Sequence, residues 1–122
     1  MKNEHDALIE WIAYHRVIGV RHFILADNMS NDGSQVLLKK LSALNIITWF
    51  TQVDIPHQRP QLPAYRQILR RCPPQADVVA FIDADEFIVP MDGSNSLEPA
   101  LQRWFKDESV SAVALNWAPD YP

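Results

Sequence analysis

Glycine is scarce in this chain: its 122 residues hold three, Gly19, Gly33 and Gly93, and none lies in a glycine-rich run beside a lysine. That argues against a loop cradling a nucleoside triphosphate through consecutive backbone N–H groups. Cysteine is scarcer still. The single Cys72 excludes an internal disulfide and gives no sign of an oxidising compartment. Basic residues number eleven against fifteen acidic ones, and the formal charge of -4 at pH 7 speaks against nucleic acid or an anionic membrane as the main partner. No apolar run approaches a membrane span in length, and the opening Met1-Lys2-Asn3-Glu4-His5-Asp6 is too polar for a signal peptide. The expectation is a soluble, cytoplasmic chain with no transmembrane segment.

What is present suits one domain over residues 1–122, since 48% of the residues are hydrophobic. Residues 3–18 read as an amphipathic helix, with Asn3 as its cap and Leu8, Ile9, Ile12 and Val17 at helical spacing; Gly19 marks its end. Residues 22–26 read as a short buried strand and 27–33 as a loop of turn formers. A second helix is expected from Ser34 or Gln35, a second strand over 46–50 and an irregular loop over 51–60. A third helix follows over 61–71, tolerating Pro63 in its first turn, and Pro73-Pro74 stops it. Strands are predicted over 78–82, 87–89 and 110–117, with a helix capped by Ser96 before the last. Helices alternating with β-branched runs point to an α/β three-layer sandwich with a mainly parallel sheet.

The most informative stretch is Asp83-Ala84-Asp85-Glu86, where an apolar run delivers three carboxylates within four positions. Carboxylate oxygens are hard ligands of the kind Mg²⁺ or Mn²⁺ prefers. A metal held by one or two of them keeps positions open for a diphosphate. The competing reading is a strand that ends in a solvated polar turn. A second acidic loop, with Asp27, Asn28 and Asp32, also follows an apolar strand, and ligands of parallel α/β sheets gather at strand carboxyl ends.

With both loops placed, the chain resembles glycosyltransferases of the GT-A type, close to the family 2 branch. Four segments carry the resemblance. They are Lys2-Asn3-Glu4 with Glu10-Trp11-Ile12-Ala13-Tyr14-His15 and Gly19-Val20; Asp27-Asn28-Met29-Ser30-Asn31-Asp32-Gly33-Ser34; Asp83-Ala84-Asp85-Glu86-Phe87, a D-x-D-E-F turn; and Ala114-Leu115-Asn116-Trp117. The resemblance implies a nucleoside-diphosphate sugar donor, a divalent metal, Mn²⁺ or Mg²⁺, and transfer of the sugar to an acceptor that the sequence does not name. It implies that Asp27 and Asn28 lie against base and ribose, that Glu4 faces the nucleotide, that Asp83 lies near ribose or metal and that Asp85 ligates the metal. The physical logic is neutralisation of a diphosphate leaving group as the glycosidic bond breaks.

Two departures from that family are plain. Only Met1 and Lys2 precede Asn3-Glu4 where the family has an apolar strand, and the chain stops at Ala118-Pro119-Asp120-Tyr121-Pro122, before the half that supplies a catalytic base. The expectation is a partial, donor-binding half with no assignable base, whose exposed sheet edge invites homo-oligomer formation. Two other classes stay open. One is a non-catalytic remnant that binds a nucleotide or a partner. The other is a nucleotidyltransferase, against which the missing glycine-rich loop weighs.

Other residues have plainer readings. Met29 at a ligand position and the late Gly33 disfavour a calcium loop at 27–33. His5, His15, His22 and His57 lack metal-ligand spacing, and His15 reads as a helix residue hydrogen-bonded to a neighbour. Trp11, Trp49, Trp104 and Trp117 read as core or core-edge aromatics. Arg66, Arg70 and Arg71 read as the solvated face of the third helix.

Overall fold

Residues 1–53 and 61–118 are described by the computed structural model. Their elements run in the order α1 (His5–Val17), β1 (Ile24–Asp27), α2 (Ser34–Ala43), β2 (Thr48–Thr51), α3 (Gln61–Leu69) and α4 (Glu98–Trp104). β1 and β2 pair in parallel, with Ile24 opposite Thr48 and Asp27 opposite Thr51. Helix α2 is the crossover between them, as a parallel pair requires. The expected α/β character therefore holds, with a two-stranded parallel sheet among the described residues.

The core gathers where α1 meets this unit. Leu8, Trp11 and Ile12 of α1 pack with Phe23, Leu25, Leu38 and Ile47. Positions 8, 11, 12 and 15 recur at the three- and four-residue steps of one helix face, and that face is buried. Ile9 and Val17, expected on this face, are exposed. Position 9 lies beside the buried stripe and position 17 on the opposite face of the helix.

Helix termini also differ from expectation. Asn3 does not cap α1: its backbone is left-handed, with φ 59°, and its side-chain Oδ1 accepts the N–H of Asn31. The N–H of His5, at the start of α1, goes to Asp32 instead. At the other end Gly19, with φ 115°, turns the chain out of the helix. Pro63 lies in the first turn of α3, and Pro99 near the start of α4, where Ser96 Oγ accepts the Glu98 N–H at 3.3 Å.

Residues 78–82, 87–89 and 110–117 form no strand. Strand formation depends on a neighbouring edge more than on local preference. No partner edge among the described residues meets these segments, and Val78, Val79, Phe81, Val89, Val113 and Leu115 are exposed. The accessible surface is 9178 Å². A compact monomer of this mass would show about 6,700 Å². The expected loop at 51–60 falls largely on 54–60, outside the described residues.

One edge of β1 is partly occupied. The carbonyls of Phe23 and Asp27 accept bonds from Thr48 and Gln52 on the β2 side, so those of Ile24 and Ala26 point the other way. On that side the Met1 amino group donates to Ala26 O at 2.8 Å, and Met1 O accepts the Asn28 N–H at 2.9 Å. The pair of bonds is one step of a parallel ladder.

Candidate functional site

The loop after β1 is organised by its own carboxylates. Asp27 is fully buried, and its oxygens accept from the N–H and hydroxyl of Ser30 and from Gln35 Nε2 at 3.0 Å. Ser30 Oγ in turn accepts the Asn3 N–H at 2.9 Å. The Asn3-Glu4 segment and the 27–34 loop are thus interlocked, although Ser30 lies 27 positions after Asn3. Asn28 and Glu4 are half-buried beside this junction. Asp32 Oδ1 holds the Ser34 hydroxyl at 2.6 Å and its N–H at 3.0 Å. The hydroxyl bond is the main reason the Asp32 carboxyl is pulled down to about 2; desolvation opposes it.

The Asp83-Ala84-Asp85-Glu86 segment closes as a tight turn. Glu86 N–H donates to Asp83 O at 3.1 Å, and Glu86 Oε2 accepts the Asp83 N–H at 3.4 Å. Ala84 is buried, which leaves the side chains of Asp83 and Asp85 exposed. Among the described residues neither carboxylate accepts a hydrogen bond, in contrast to Asp27, Asp32, Asp92 and Asp107, each held by a serine. No three of His, Cys, Asp and Glu stand together as a cation site among the described residues. Two free carboxylates suit a cation that keeps water and phosphate ligands, and do not suit one needing an all-protein cage.

The residues holding this turn were not identified from the sequence as a site. Trp11 Nε1 donates to Glu86 O at 2.7 Å, Tyr14 Oη donates to Ile88 O at 3.0 Å, and the Ile88 N–H donates to His15 Nε2 at 3.3 Å. His15 Nδ1 lies 2.8 Å from Trp11 O. Burial pushes the His15 pKa below its usual value, against the opposing pull of the Trp11 carbonyl. The available signal was spacing: positions 11, 14 and 15 share one helix face.

The other expectations divide. Trp11 is core, Trp49 and Trp104 are half-buried, and Trp117 is 75% exposed. Arg71 lies 4.3 Å from the ring centroid of Phe50, so it is more than a solvated charge. Cys72 Sγ is 3.5 Å from Ile68 O, a helix-end contact.

Residues 2–121 match the family model for glycosyltransferase family 92. The chain belongs to glycosyltransferase family 92. Family 92 proteins of rice (Oryza sativa subsp. japonica), castor bean (Ricinus communis) and Arabidopsis thaliana are similar to it. The rice protein is 30% identical over 106 residues, 85% of this chain and 17% of its own length. The castor bean protein is 29% identical over 117 residues, 90% of this chain and 20% of its own, and the Arabidopsis protein 32% over 85 residues, 70% and 14%. The chain therefore spans about a fifth or less of the curated relatives it matches. No solved structure matches it. The expected membership in a glycosyltransferase family holds, and the family is 92 where the resemblance was to family 2. No helix among the described residues is long and apolar enough to cross a membrane.

Proposed function

We propose that this family 92 chain is the donor-binding part of a glycosyltransferase that takes a nucleoside-diphosphate sugar and passes the sugar to an acceptor. The observation carrying the reading is the pair of exposed carboxylates, Asp83 and Asp85, left without donors among the described residues, on a turn whose main chain is held from α1. Asp85 and Asp83 would hold Mn²⁺ or Mg²⁺, with the donor's diphosphate completing the coordination. Bound there, the cation supplies charge neutralisation for the departing nucleoside diphosphate. The loop organised by Asp27 receives base and ribose, with Asn28 and Glu4 at its margin. In that arrangement Asp27 acts through the loop it shapes, since its oxygens already accept from Ser30 and Gln35. The GT-A architecture, a three-layer sandwich with a mainly parallel sheet, belongs to the same proposal. It would give the apolar segments 78–82 and 110–117 a sheet to join.

Calorimetric titration with UDP, with and without Mn²⁺, tests it against an Asp85→Ala variant. Metal-dependent binding that Asp85→Ala abolishes supports the reading. Binding that ignores the metal, or that survives Asp85→Ala unchanged, rules out the assigned site.

A further inference from the structure

Three side chains on one face of α1, at positions 11, 14 and 15, reach the main chain of 86–88, more than 70 residues further along. Each contributes a different bond: an indole N–H to Glu86 O, a phenol O–H to Ile88 O, and an imidazole nitrogen accepting the Ile88 N–H. Phe87, between those anchors, is 42% exposed and meets two of the same side chains ring to ring. Its centroid lies 5.1 Å from that of Tyr14, edge to face, and 5.7 Å from that of His15, with the planes 16° apart. The Asp83–Glu86 turn begins three residues upstream of Glu86, whose carbonyl is the first anchor. Its own closure is one backbone bond and one long side-chain bond, so α1 supplies most of what fixes its orientation.

We propose that Trp11, Tyr14 and His15 are positioning residues that clamp the 86–88 main chain and thereby aim the Asp83 and Asp85 carboxylates. The aim matters for a donor site only if the carboxylates bind the metal, so this rests on the function proposed above. The clamp also dictates the state of His15. Nδ1 faces the Trp11 carbonyl and must carry the proton, and Nε2 must be bare to accept the Ile88 N–H. A protonated ring would set an N–H against an N–H. Among the described residues Tyr14 is the one titratable side chain in ring contact with His15, and no carboxylate forms an ion pair with it. Burial holds the ring neutral, so the clamp is engaged above the His15 pKa and opens as pH falls through it.

The test is NMR of the whole chain. Protection of the Ile88 amide from exchange, relative to its intrinsic rate, is followed with pH in the wild type, Tyr14→Phe, His15→Gln and His15→Phe. Mn²⁺ affinity is read in parallel from water-proton relaxation. The wild type should show a neutral ring protonated on Nδ1, with Ile88 protection falling as His15 titrates below its usual pKa. His15→Phe should lose roughly tenfold in protection, the scale of one hydrogen bond. His15→Gln, whose amide oxygen replaces the Nε2 acceptor, should restore it without the pH dependence. If His15→Phe does not fold, the wild-type pH profile and Tyr14→Phe decide the matter. Ile88 protection that ignores His15 titration would overturn the clamp. Protection lost with Mn²⁺ affinity unchanged would overturn the aiming of the carboxylates. A wild type that binds no Mn²⁺ sinks the metal site itself, while the Ile88 profile still judges the clamp.

Discussion

Asp32 joins two helix starts: its Oδ2 accepts the His5 N–H of α1 at 3.1 Å, and its Oδ1 holds the hydroxyl and N–H of Ser34, the first residue of α2. The free N–H groups of a helix's first turn favour a carboxylate, and here one side chain serves two such ends. The junction ties the chain's opening to the loop after β1.

That junction predicts an acid sensitivity. The Asp32 pKa is depressed, so its contribution is present above the usual 3.8 and is lost as pH falls through about 2. Asp32→Ala should lower the thermal midpoint at neutral pH and leave a shallower loss of stability between those values. Thermal melts of both proteins from pH 5 to pH 2 check this; parallel curves would dismiss the junction.

Asp27 predicts a stability defect distinct from any binding defect. Asp27→Asn would put an amide N–H₂ against the donor of either Ser30 or Gln35, leaving a buried group unpaired. The expected cost is about 1–3 kcal/mol in urea unfolding. A variant as stable as the parent would show the carboxylate free for another task.

Leu38 is fully buried in α2 and packs against the α1 and β1 side chains of the core. Leu38→Ala should cost roughly 2–5 kcal/mol by loss of apolar burial and creation of a cavity. Exposed Val36, on the same helix, should tolerate alanine within about 0.5 kcal/mol. Equal effects from the two would contradict the packing described.

Arg71 over the Phe50 ring couples the residues after α3 to β2. A double-mutant cycle with Arg71→Gln and Phe50→Leu should return a coupling of about 0.5–1 kcal/mol. Additive single effects would mean that the contact contributes nothing.

The local elements were legible because their signals are local. Residues 8, 11, 12 and 15 at helical spacing, Gly19 and Gly33 at turns, and Pro63 in a first turn each constrain a few neighbouring dihedral angles. The α1, β1, α2, β2 order followed from them, as did the acidic turn and its glycosyltransferase resemblance. Strands at 78–82 and 110–117 were misread because β-branched residues make a strand possible, while only a facing edge makes one form.

By itself the sequence determined where the helices run, that Asp83 and Asp85 fall together after an apolar run, and that no internal disulfide cross-links the chain. The tertiary structure alone decided which carboxylates are taken and which are free. Asp27 meets Ser30 and Gln35 inside the loop, whereas Asp83 and Asp85 face solvent. It also decided that Trp11, Tyr14 and His15 hold residues 86–88. Hydrogen bonds between groups more than 70 residues apart depend on how the chain returns upon itself, and packing fixes that return; local spacing does not.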